Sequence, residues 1–246
     1  MKKTFFAGLL LMAAVQSANA QKVVLHMAGN QTFECNISKL DSITFEDEHE
    51  WVDLGLPSGT LWATCNVGAN SPEEYGDHFA WGETKPKDQY SWSTYIHCKG
   101  DYNMLTKYCY QSERGYDNYT DTLTELLPED DAATANWGNG WQMPSLAQLQ
   151  ELFNSEYTTV TWMTQKGKLI TSKSNGQTLF LPFAGNRNET RLDDVGNYGD
   201  YWSRTLNTYE TCYAEGLSFN GSHVWWDVYP SRHRGKSVRP VRIKTR

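Results

Sequence analysis

The sequence predicts a mixed α+β body in which short strands dominate, with paired terminal strands, two short helices and a long irregular loop region, preceded by a small β-hairpin. Two segments, Trp51–Ala69 and Gly199–Arg242, open and close this body, and both are strand-like, rich in Trp and interrupted by Gly or Pro. The 246 residues include 19 Gly, 10 Trp, 14 Tyr and 9 Phe, a composition typical of an irregular, strand-rich domain. If the first and last strands pair, the chain between them can form loops, which favours ligand binding over catalysis.

The first 20 residues have the pattern of a secretory signal peptide. Lys2 and Lys3 precede an apolar run at Phe5–Val15, and Ala18-Asn19-Ala20 provides a small-residue cleavage site. We therefore expect residues 1–20 to be removed and the protein to be exported to the periplasm, the cell surface or the medium. The apolar run is shorter than the roughly 20 residues that cross a bilayer, so no transmembrane segment is predicted.

The protein is acidic except at its carboxyl end. The formal charge of −7 becomes −9 once the two positive charges of the leader are removed, which disfavours nucleic acid as a partner. The last 15 residues carry the cations Arg232, Arg234, Lys236, Arg239, Arg242, Lys244 and Arg246. We interpret these as strand-end and surface cations, with binding of an anionic ligand such as a sulfated or sialylated glycan as the alternative.

Residues 21–50 are expected to form a small segment of their own. Lys22–Ala28 and Gln31–Ile37 alternate apolar and polar side chains around Gly29-Asn30, which is the pattern of a β-hairpin. Leu40–Phe45 adds a third short strand, and the charged Glu46–Glu50 forms an acidic hinge. The main domain is therefore expected to span residues 51–246.

The main domain begins with strand signals and continues into a long irregular region. Trp51–Leu54 and Thr60–Cys65 predict two strands joined by a Pro-Ser-Gly turn. Ser71–Glu74 has the capping residues of a helix of about one turn, and His78–Gly82 returns to extended structure. Glu83–Leu127 is polar and aromatic with few regular signals, which is typical of a functional loop region or an insertion.

Two helices follow this region. Pro128–Asn136 has an early Pro and three acids that favour the amino end of a helix. Ser145 and Gln148 form a capping box before an apolar stripe that we assign to the core. The remaining strands are predicted at Val160–Met163, Lys168–Thr171, Thr178–Phe183, Tyr201–Arg204, Tyr213–Phe219, His223–Tyr229 and Ser237–Ile243.

The five cysteines are an odd number, so at least one thiol is expected to stay unpaired within the chain. Export would permit disulfides, and the best candidate pair is Cys98 with Cys109, which flank a short excursion of the chain. No Cys-x-x-Cys pair or Cys/His ligand spacing supports a zinc site, and no metal is predicted.

Five segments resemble one family of secreted bacterial proteins: Trp51–Ala69, Tyr75–Lys87, Pro128–Ser145, Leu179–Gly185 and Tyr201–Arg242. Together they are similar, in sequence and order, to the Fibrobacter succinogenes major paralogous domain of Gram-negative bacteria. The resemblance implies a branch of the C-type lectin-like fold, related to formylglycine-generating oxidases and to the variable receptors of diversity-generating retroelements. It also implies a binding face built by the last strands, but no single activity, because fold and function separate easily.

The sequence offers little support for catalysis. An oxidase of the formylglycine-generating type needs redox-active cysteines in its groove, and the tail offers only Cys212. No Gly-x-Ser-x-Gly motif indicates a serine hydrolase. The sugar-binding tripeptides of calcium-dependent lectins are absent, and oxygen-rich loops such as Tyr116–Asp121 lack a calcium-ligand spacing. We therefore expect no enzyme activity and no cofactor, with a calcium ion left as an alternative.

The tail has the composition of a recognition surface. In His223–Tyr229, strand alternation directs Val224, Trp226 and Val228 inward and the four other side chains to the opposite face. Those four combine aromatic rings with a carboxylate and an imidazole, as ligand-binding patches do. With the neighbouring polar loops and one tail cation, the predicted ligand-binding residues are Asn207, Tyr209, Asn220, His223, Trp225, Asp227, Tyr229 and Arg232.

The sequence therefore predicts an exported, non-enzymatic protein that recognises a glycan or a protein surface. The alternative for Trp225 and Tyr229 is that these rings only cover an apolar flank. Two other functions stay open: a structural or assembly module of a cell-surface complex, and an oxidase of the formylglycine-generating type.

Overall fold

The structure, a computed structural model, describes residues 22–27, 31–37, 49–138, 140–164, 166–226 and 230–243. The chain divides into two compact units, residues 1–48 and 49–246. In the first unit, β1 (Lys22–Met27) and β2 (Gln31–Asn36) pair antiparallel, which confirms the predicted hairpin. The predicted signal peptide, the third strand at Leu40–Phe45 and residues 46–48 of the hinge lie outside the described residues.

The second unit is built mostly from strands, which confirms a mixed α+β class in which strands dominate. In the described part of the chain these are β3 (Trp51–Asp53), β4 (Thr60–Ala63), β5 (His78–Phe79), β6 (Thr158–Met163), β7 (Gly167–Ser172), β8 (Thr178–Pro182), β9 (Asn186–Asn188), β10 (Arg191–Asp193), β11 (Gly199–Leu206), β12 (Ala214–Phe219), β13 (Val224–Trp225), β14 (Lys236–Ser237) and β15 (Val241–Ile243). The two α-helices are α1 (Ala132–Trp137) and α2 (Leu146–Leu152). Neither of these described helices has the length and apolar character needed to cross a membrane.

The two ends of the second unit pair side by side. β15 lies antiparallel to β4 with Val241 opposite Trp62, and β3 lies on the other side of β4 with Val52 opposite Trp62. All three side chains are buried in the main core, so they form one apolar row across the sheet. The predicted pairing of the terminal strands is confirmed.

The first helix begins later than the predicted start at Pro128, because Pro128–Asp130 forms a 3₁₀ turn and α1 starts at Ala132. The Asp131 side chain accepts a hydrogen bond from the backbone of α1, and Gly138 ends this helix with a φ of 94°. Ser145 and Gln148 form the expected capping box of α2. Gln148 Nε2 also donates to Thr60 Oγ1 at 2.9 Å, so the amino end of α2 is joined to β4.

Residues 83–127 are irregular, as predicted. All of them are described, and apart from single β-bridges they contain only three 3₁₀ turns, at Trp92–Thr94, Ser112–Arg114 and Tyr116–Asn118. The helix predicted at Ser71–Glu74 is wrong, because this segment forms only a turn. There the Glu74 carboxylate accepts from the Asn70 backbone N–H at 2.8 Å, which closes the turn.

A five-stranded sheet, in the order β13-β12-β11-β14-β5, carries the carboxyl-terminal part of the chain. β14 runs parallel to β11, and the other neighbours are antiparallel. One face packs on the main core through Tyr201 and Phe219. Asp200 and Trp225 both lie opposite Ser218, and these three side chains belong to the other face because neighbours along a strand alternate in direction.

Three cations of the tail, Arg232, Lys236 and Arg239, are buried, so their interpretation as surface cations is wrong. The Arg232 guanidinium lies 4.9 Å from the Trp81 ring centre and donates to the Tyr95 hydroxyl at 2.9 Å. It also donates to three backbone carbonyls. Because these acceptors enclose it, Arg232 does not belong to an exposed ligand-binding patch, and this predicted site residue is corrected.

The five cysteines are free thiols, so the predicted bridge between Cys98 and Cys109 is wrong. Both side chains are buried in the same apolar cluster, and each has a local hydrogen-bond acceptor. Cys98 Sγ donates to the Trp92 carbonyl at 3.1 Å, and Cys109 Sγ donates to the Gln111 carbonyl at 3.2 Å. The two thiols therefore contribute to packing as small apolar groups.

Candidate functional site

The side chains around β13 alternate as expected. Val224 and Trp226 pack against the main core, His223 is exposed, and Trp225 is partly buried. Trp225 is therefore at the surface of the domain and not sealed inside it. The predicted site residues Asp227 and Tyr229 lie outside the described residues.

Two rings stack on Trp225. The centre of the Tyr198 ring lies 5.9 Å from that of Trp225 with an interplanar angle of 22°, and the His223 ring lies 5.5 Å away at 25°. Stacked aromatic pairs at such separations contribute about 0.5–1.5 kcal/mol beyond the burial of their area. The stack therefore fixes the orientation of Trp225 at the edge of the sheet.

Next to this stack lies a surface depression of about 470 Å³. Its wall includes Tyr198, and its other lining residues are Trp162, Phe183, Gly196, Asn197, Asn220, Gly221 and Ser222. We call it the aromatic depression. Its size lies within the range of small-ligand sites, which are about 300–1,000 Å³.

Trp162 is the most accessible ring of the aromatic depression, with 51% of its surface exposed. It lies on β6, and its ring rests against Gly221 in the turn between β12 and β13. A Cβ atom at position 221 would lie 3.0 Å from the Trp162 ring, closer than ordinary van der Waals contact. The glycine therefore permits the close approach of the ring to the turn.

The rim of the aromatic depression carries hydrogen-bonding groups. The Asn220 side-chain oxygen accepts from the Ser222 and His223 backbone N–H groups, both at 2.9 Å. The amide nitrogen of the same side chain has no acceptor within the described part of the chain. A ligand hydroxyl could therefore accept from Asn220 without competing with the turn.

Two other predicted site residues lie at the far end of the β11–β12 hairpin. Asn207 is buried, donates to Glu215 Oε1 at 2.8 Å, and accepts from two backbone N–H groups of its own loop. Tyr209 is 79% exposed on that loop. The eight residues of β11 separate this loop from Asn220 by about 25 Å, at roughly 3.3 Å per residue. The structure therefore does not bring Asn207 and Tyr209 together with Asn220, His223 and Trp225.

Sequence reasoning missed Trp162 and Tyr198. Trp162 has the same parity along its strand as Val160, which packs against the core, so alternation alone places its ring inward. The ring is exposed because it lies near the tip of the β6–β7 hairpin, opposite Lys168. A tryptophan two residues from a hairpin turn was the signal that could have identified it.

Cys212 does not have the environment of a reactive thiol. Its side chain is buried, and this burial is the main cause that raises its pKa to about 11, with Glu210 adding to the effect. A thiol that is protonated at neutral pH is a weak nucleophile. Cys212 therefore has the properties of a structural cysteine.

No protein-family model, curated protein or solved structure matches the chain. Among the described residues, no three side chains of His, Cys, Asp or Glu are grouped as metal ligands would be. The functional proposal therefore depends on the geometry and chemistry of the site.

Proposed function

We propose that this protein is an exported, non-enzymatic carbohydrate-binding protein that holds a sugar ring in the aromatic depression. One observation carries the proposal: the half-exposed Trp162 ring and the Tyr198 ring, which stacks on Trp225, line the same depression, with Asn220 beside them. The C–H face of a sugar packs on an aromatic ring, and amide groups bond the sugar hydroxyls. A depression of this size suits one or two sugar rings better than a protein partner, which needs a contact area of about 1,000 Å² or more.

The arrangement of elements supports a C-type lectin-like body for this function. Paired terminal strands and two helices are what the resemblance to the Fibrobacter succinogenes major paralogous domain implies. In that fold the last strands build the binding face, and here β12 and β13 contribute the turn at Asn220 and the ring of Trp225. The signal-peptide pattern of residues 1–20 supports export to the periplasm, the cell surface or the medium, and the resemblance supports a Gram-negative bacterium as the source.

The environment of Cys212 supports a function without catalysis. The groove cysteines of a formylglycine-generating oxidase must ionise to react, and a pKa of about 11 opposes ionisation at neutral pH. Burial also raises the pKa values of Cys98 and Cys109, which opposes ionisation of these two thiols as well.

The test is a glycan array probed with the full chain, with Trp162→Ala and with Trp51→Ala as the matched control. Trp51 is exposed to nearly the same extent, 47% against 51% for Trp162, but it lies on β3 and does not line the depression. We expect the protein to bind a defined set of glycans and Trp162→Ala to lose at least about tenfold in affinity, as for a central aromatic contact. Trp51→Ala should bind as the wild type does.

A second variant, Trp225→Ala, removes the ring on which Tyr198 and His223 stack, and it should weaken the same glycans. A blank array, or equal losses in Trp162→Ala and Trp51→Ala, would refute the proposal. A blank array together with specific capture of cell-envelope proteins would support the assembly-module alternative.

A further inference from the structure

A second depression of about 490 Å³ opens on the outward face of the carboxyl-terminal sheet. Its floor includes Asp200 on β11, Lys236 on β14 and Asn186 on β9, and its wall is formed by Tyr213, Pro230, Ser231 and Arg234. We call it the charged depression. It is separate from the aromatic depression, because the two have no lining residue in common.

The polar groups on the floor of the charged depression are connected to one another. Lys236 Nζ donates to Asp200 Oδ1 at 3.4 Å, and Asn186 Nδ2 donates to Asp200 Oδ2 at 3.1 Å. Lys236 also lies over the Trp202 ring, with its nitrogen 4.9 Å from the ring centre. Both oxygens of the Asp200 carboxylate are therefore occupied by donors from the protein.

The network is incomplete at two of its members. Asn186 is only 8% exposed, and its side-chain oxygen has no hydrogen-bond partner in the part of the chain that the structure describes. The Lys236 ammonium group has three N–H donors, and Asp200 is its one hydrogen-bond acceptor among the described residues. Buried polar groups are satisfied in nearly all native proteins, so an unpartnered acceptor that lines a cavity marks a place for a ligand atom.

The charges in the depression specify the ligand further. Arg234 lines the wall and has no ion-pair partner within the described ranges, while Lys236 is paired with Asp200. The formal charges of these three groups leave one positive charge. One carboxylate on the ligand balances that charge, and a planar carboxylate matches the two-pronged donor geometry of a guanidinium. A ligand hydroxyl supplies the donor that the Asn186 oxygen lacks.

The position of the charged depression connects it with the proposed sugar site. Asp200 and Trp225 lie in one row of the sheet with Ser218 between them, on the same face. Two strand spacings of about 4.8 Å separate their backbones by roughly 10 Å. A short saccharide can extend across this distance.

We propose that the charged depression binds the carboxylate of an acidic sugar, with Arg234 and Lys236 as the donors and Asn186 as the acceptor for a neighbouring hydroxyl. This inference deepens the proposed function and rests on it, since it names acidic saccharides as the ligand class. It also gives a binding role to Arg234 and Lys236, two of the tail cations for which the sequence left open surface exposure or binding of an anionic ligand.

The test is isothermal titration of the full chain with glucuronic acid, and with glucose, glycine and sodium sulfate as comparison ligands. We expect saturable binding of glucuronic acid and no detectable binding of glucose at equal concentration. Sulfate and glycine should not compete, because sulfate has no donor for Asn186 and the ammonium group of glycine is repelled by Lys236 and Arg234. Competition by sulfate at equal concentration would indicate a general anion site and overturn the proposal, and competition by glycine would indicate an amino-acid site and overturn it too.

Variants make the test specific. Arg234 is partly exposed, so the Arg234→Gln variant should fold normally. Its affinity for glucuronic acid should fall by about tenfold or more, because a charged hydrogen-bond donor to the ligand is lost. Arg191→Gln is the matched control, because Arg191 is an exposed arginine on β10 outside the depression. Asn186→Leu removes the acceptor and should also weaken binding. Unchanged affinity in Arg234→Gln, with its fold verified by circular dichroism, would refute the proposal.

The two proposals can fail separately. One outcome is that neutral glycans bind, that this binding is lost in Trp162→Ala, and that glucuronic acid binds no more tightly than glucose. In that case the charged depression does not bind acidic sugars, and the proposed function stands. If glucuronic acid binds and depends on Arg234 while every glycan on the array is unaffected by Trp162→Ala, the aromatic depression is not the sugar site. The charged depression would then be the ligand site by itself.

Discussion

Replacing Arg232 with Met should destabilise the protein by about 3–5 kcal/mol. The guanidinium donates to the Tyr95 hydroxyl and to the carbonyls of Lys107, Tyr108 and Thr211, at 2.9–3.1 Å. Each buried acceptor left without a donor costs about 1–3 kcal/mol, and Met can satisfy none of them. The four acceptors together would cost about 4–12 kcal/mol. Because a cation no longer has to be buried, part of this cost is offset, and the net loss falls at the low end, about 3–5 kcal/mol.

Urea unfolding, followed by tryptophan fluorescence, measures this loss as a shift of the midpoint at constant slope. Arg234→Met is the matched control, because Arg234 lies two residues away, is partly exposed and has no side-chain hydrogen bond within the described residues. This control should change the free energy of unfolding by less than about 1 kcal/mol. The acceptors Tyr95, Lys107 and Tyr108 belong to the irregular region, so Arg232 connects that region to the tail. A free energy of unfolding of Arg232→Met within about 1 kcal/mol of the wild type would show that this connection does not stabilise the fold. A stable Arg232→Met protein that loses ligand binding would instead restore the role expected from the sequence.

Three further predictions concern single positions. Ser145→Ala removes the cap of α2 and should lower the free energy of unfolding by about 1 kcal/mol, measured by thermal unfolding. Gly221→Ala places a Cβ against the Trp162 ring and should weaken glycan binding with little loss of stability, measured on the array and by urea unfolding. The pKa of His233 is lowered to about 4, first by burial and then by Arg234, so the unfolded chain binds a proton more readily than the folded chain between about pH 6.5 and pH 4. Stability should therefore fall as the pH decreases through this window, and His233→Phe, which keeps a ring against Trp92, should reduce that slope.

Features with a local signature could be predicted from the sequence. The capping box at Ser145 and Gln148 and the glycine that ends α1 depend on residues within one helical turn of each other. The terminal strands could also be predicted, because alternating apolar side chains and flanking turns identify each strand by itself. Their pairing followed from placing both at the ends of one domain.

The buried cations could not be predicted, because their partners are distant in the sequence. Arg232 and its acceptor Tyr95 are 137 positions apart, and neither residue has a pattern that points to the other. Without a visible partner, a cation is predicted to be exposed, since burying an unpaired charge is costly. Trp162 could not be assigned to the candidate site for the same reason. Strand alternation in the tail predicted His223 and Trp225, but no sequence pattern connects the β6–β7 hairpin, which carries Trp162, with the tail.

The tail pairs with the first strands of the domain and also supplies part of the floor of the charged depression, because its last strand is broken. The sequence predicts one strand at Ser237–Ile243, but β14 ends at Ser237 and β15 begins at Val241. Pro240 has no N–H to donate, so a single continuous ladder through this segment would lose a hydrogen bond. The break lets the chain leave the five-stranded sheet and join β4, and the buried Arg239 holds it there by donating to Asn66 Oδ1 and to the carbonyls of residues 63 and 64. Lys236 is held beside Asp200 by the pairing of β14 with β11 and β5, so the segment that supplies this cation leads directly into the strand that joins the chain ends.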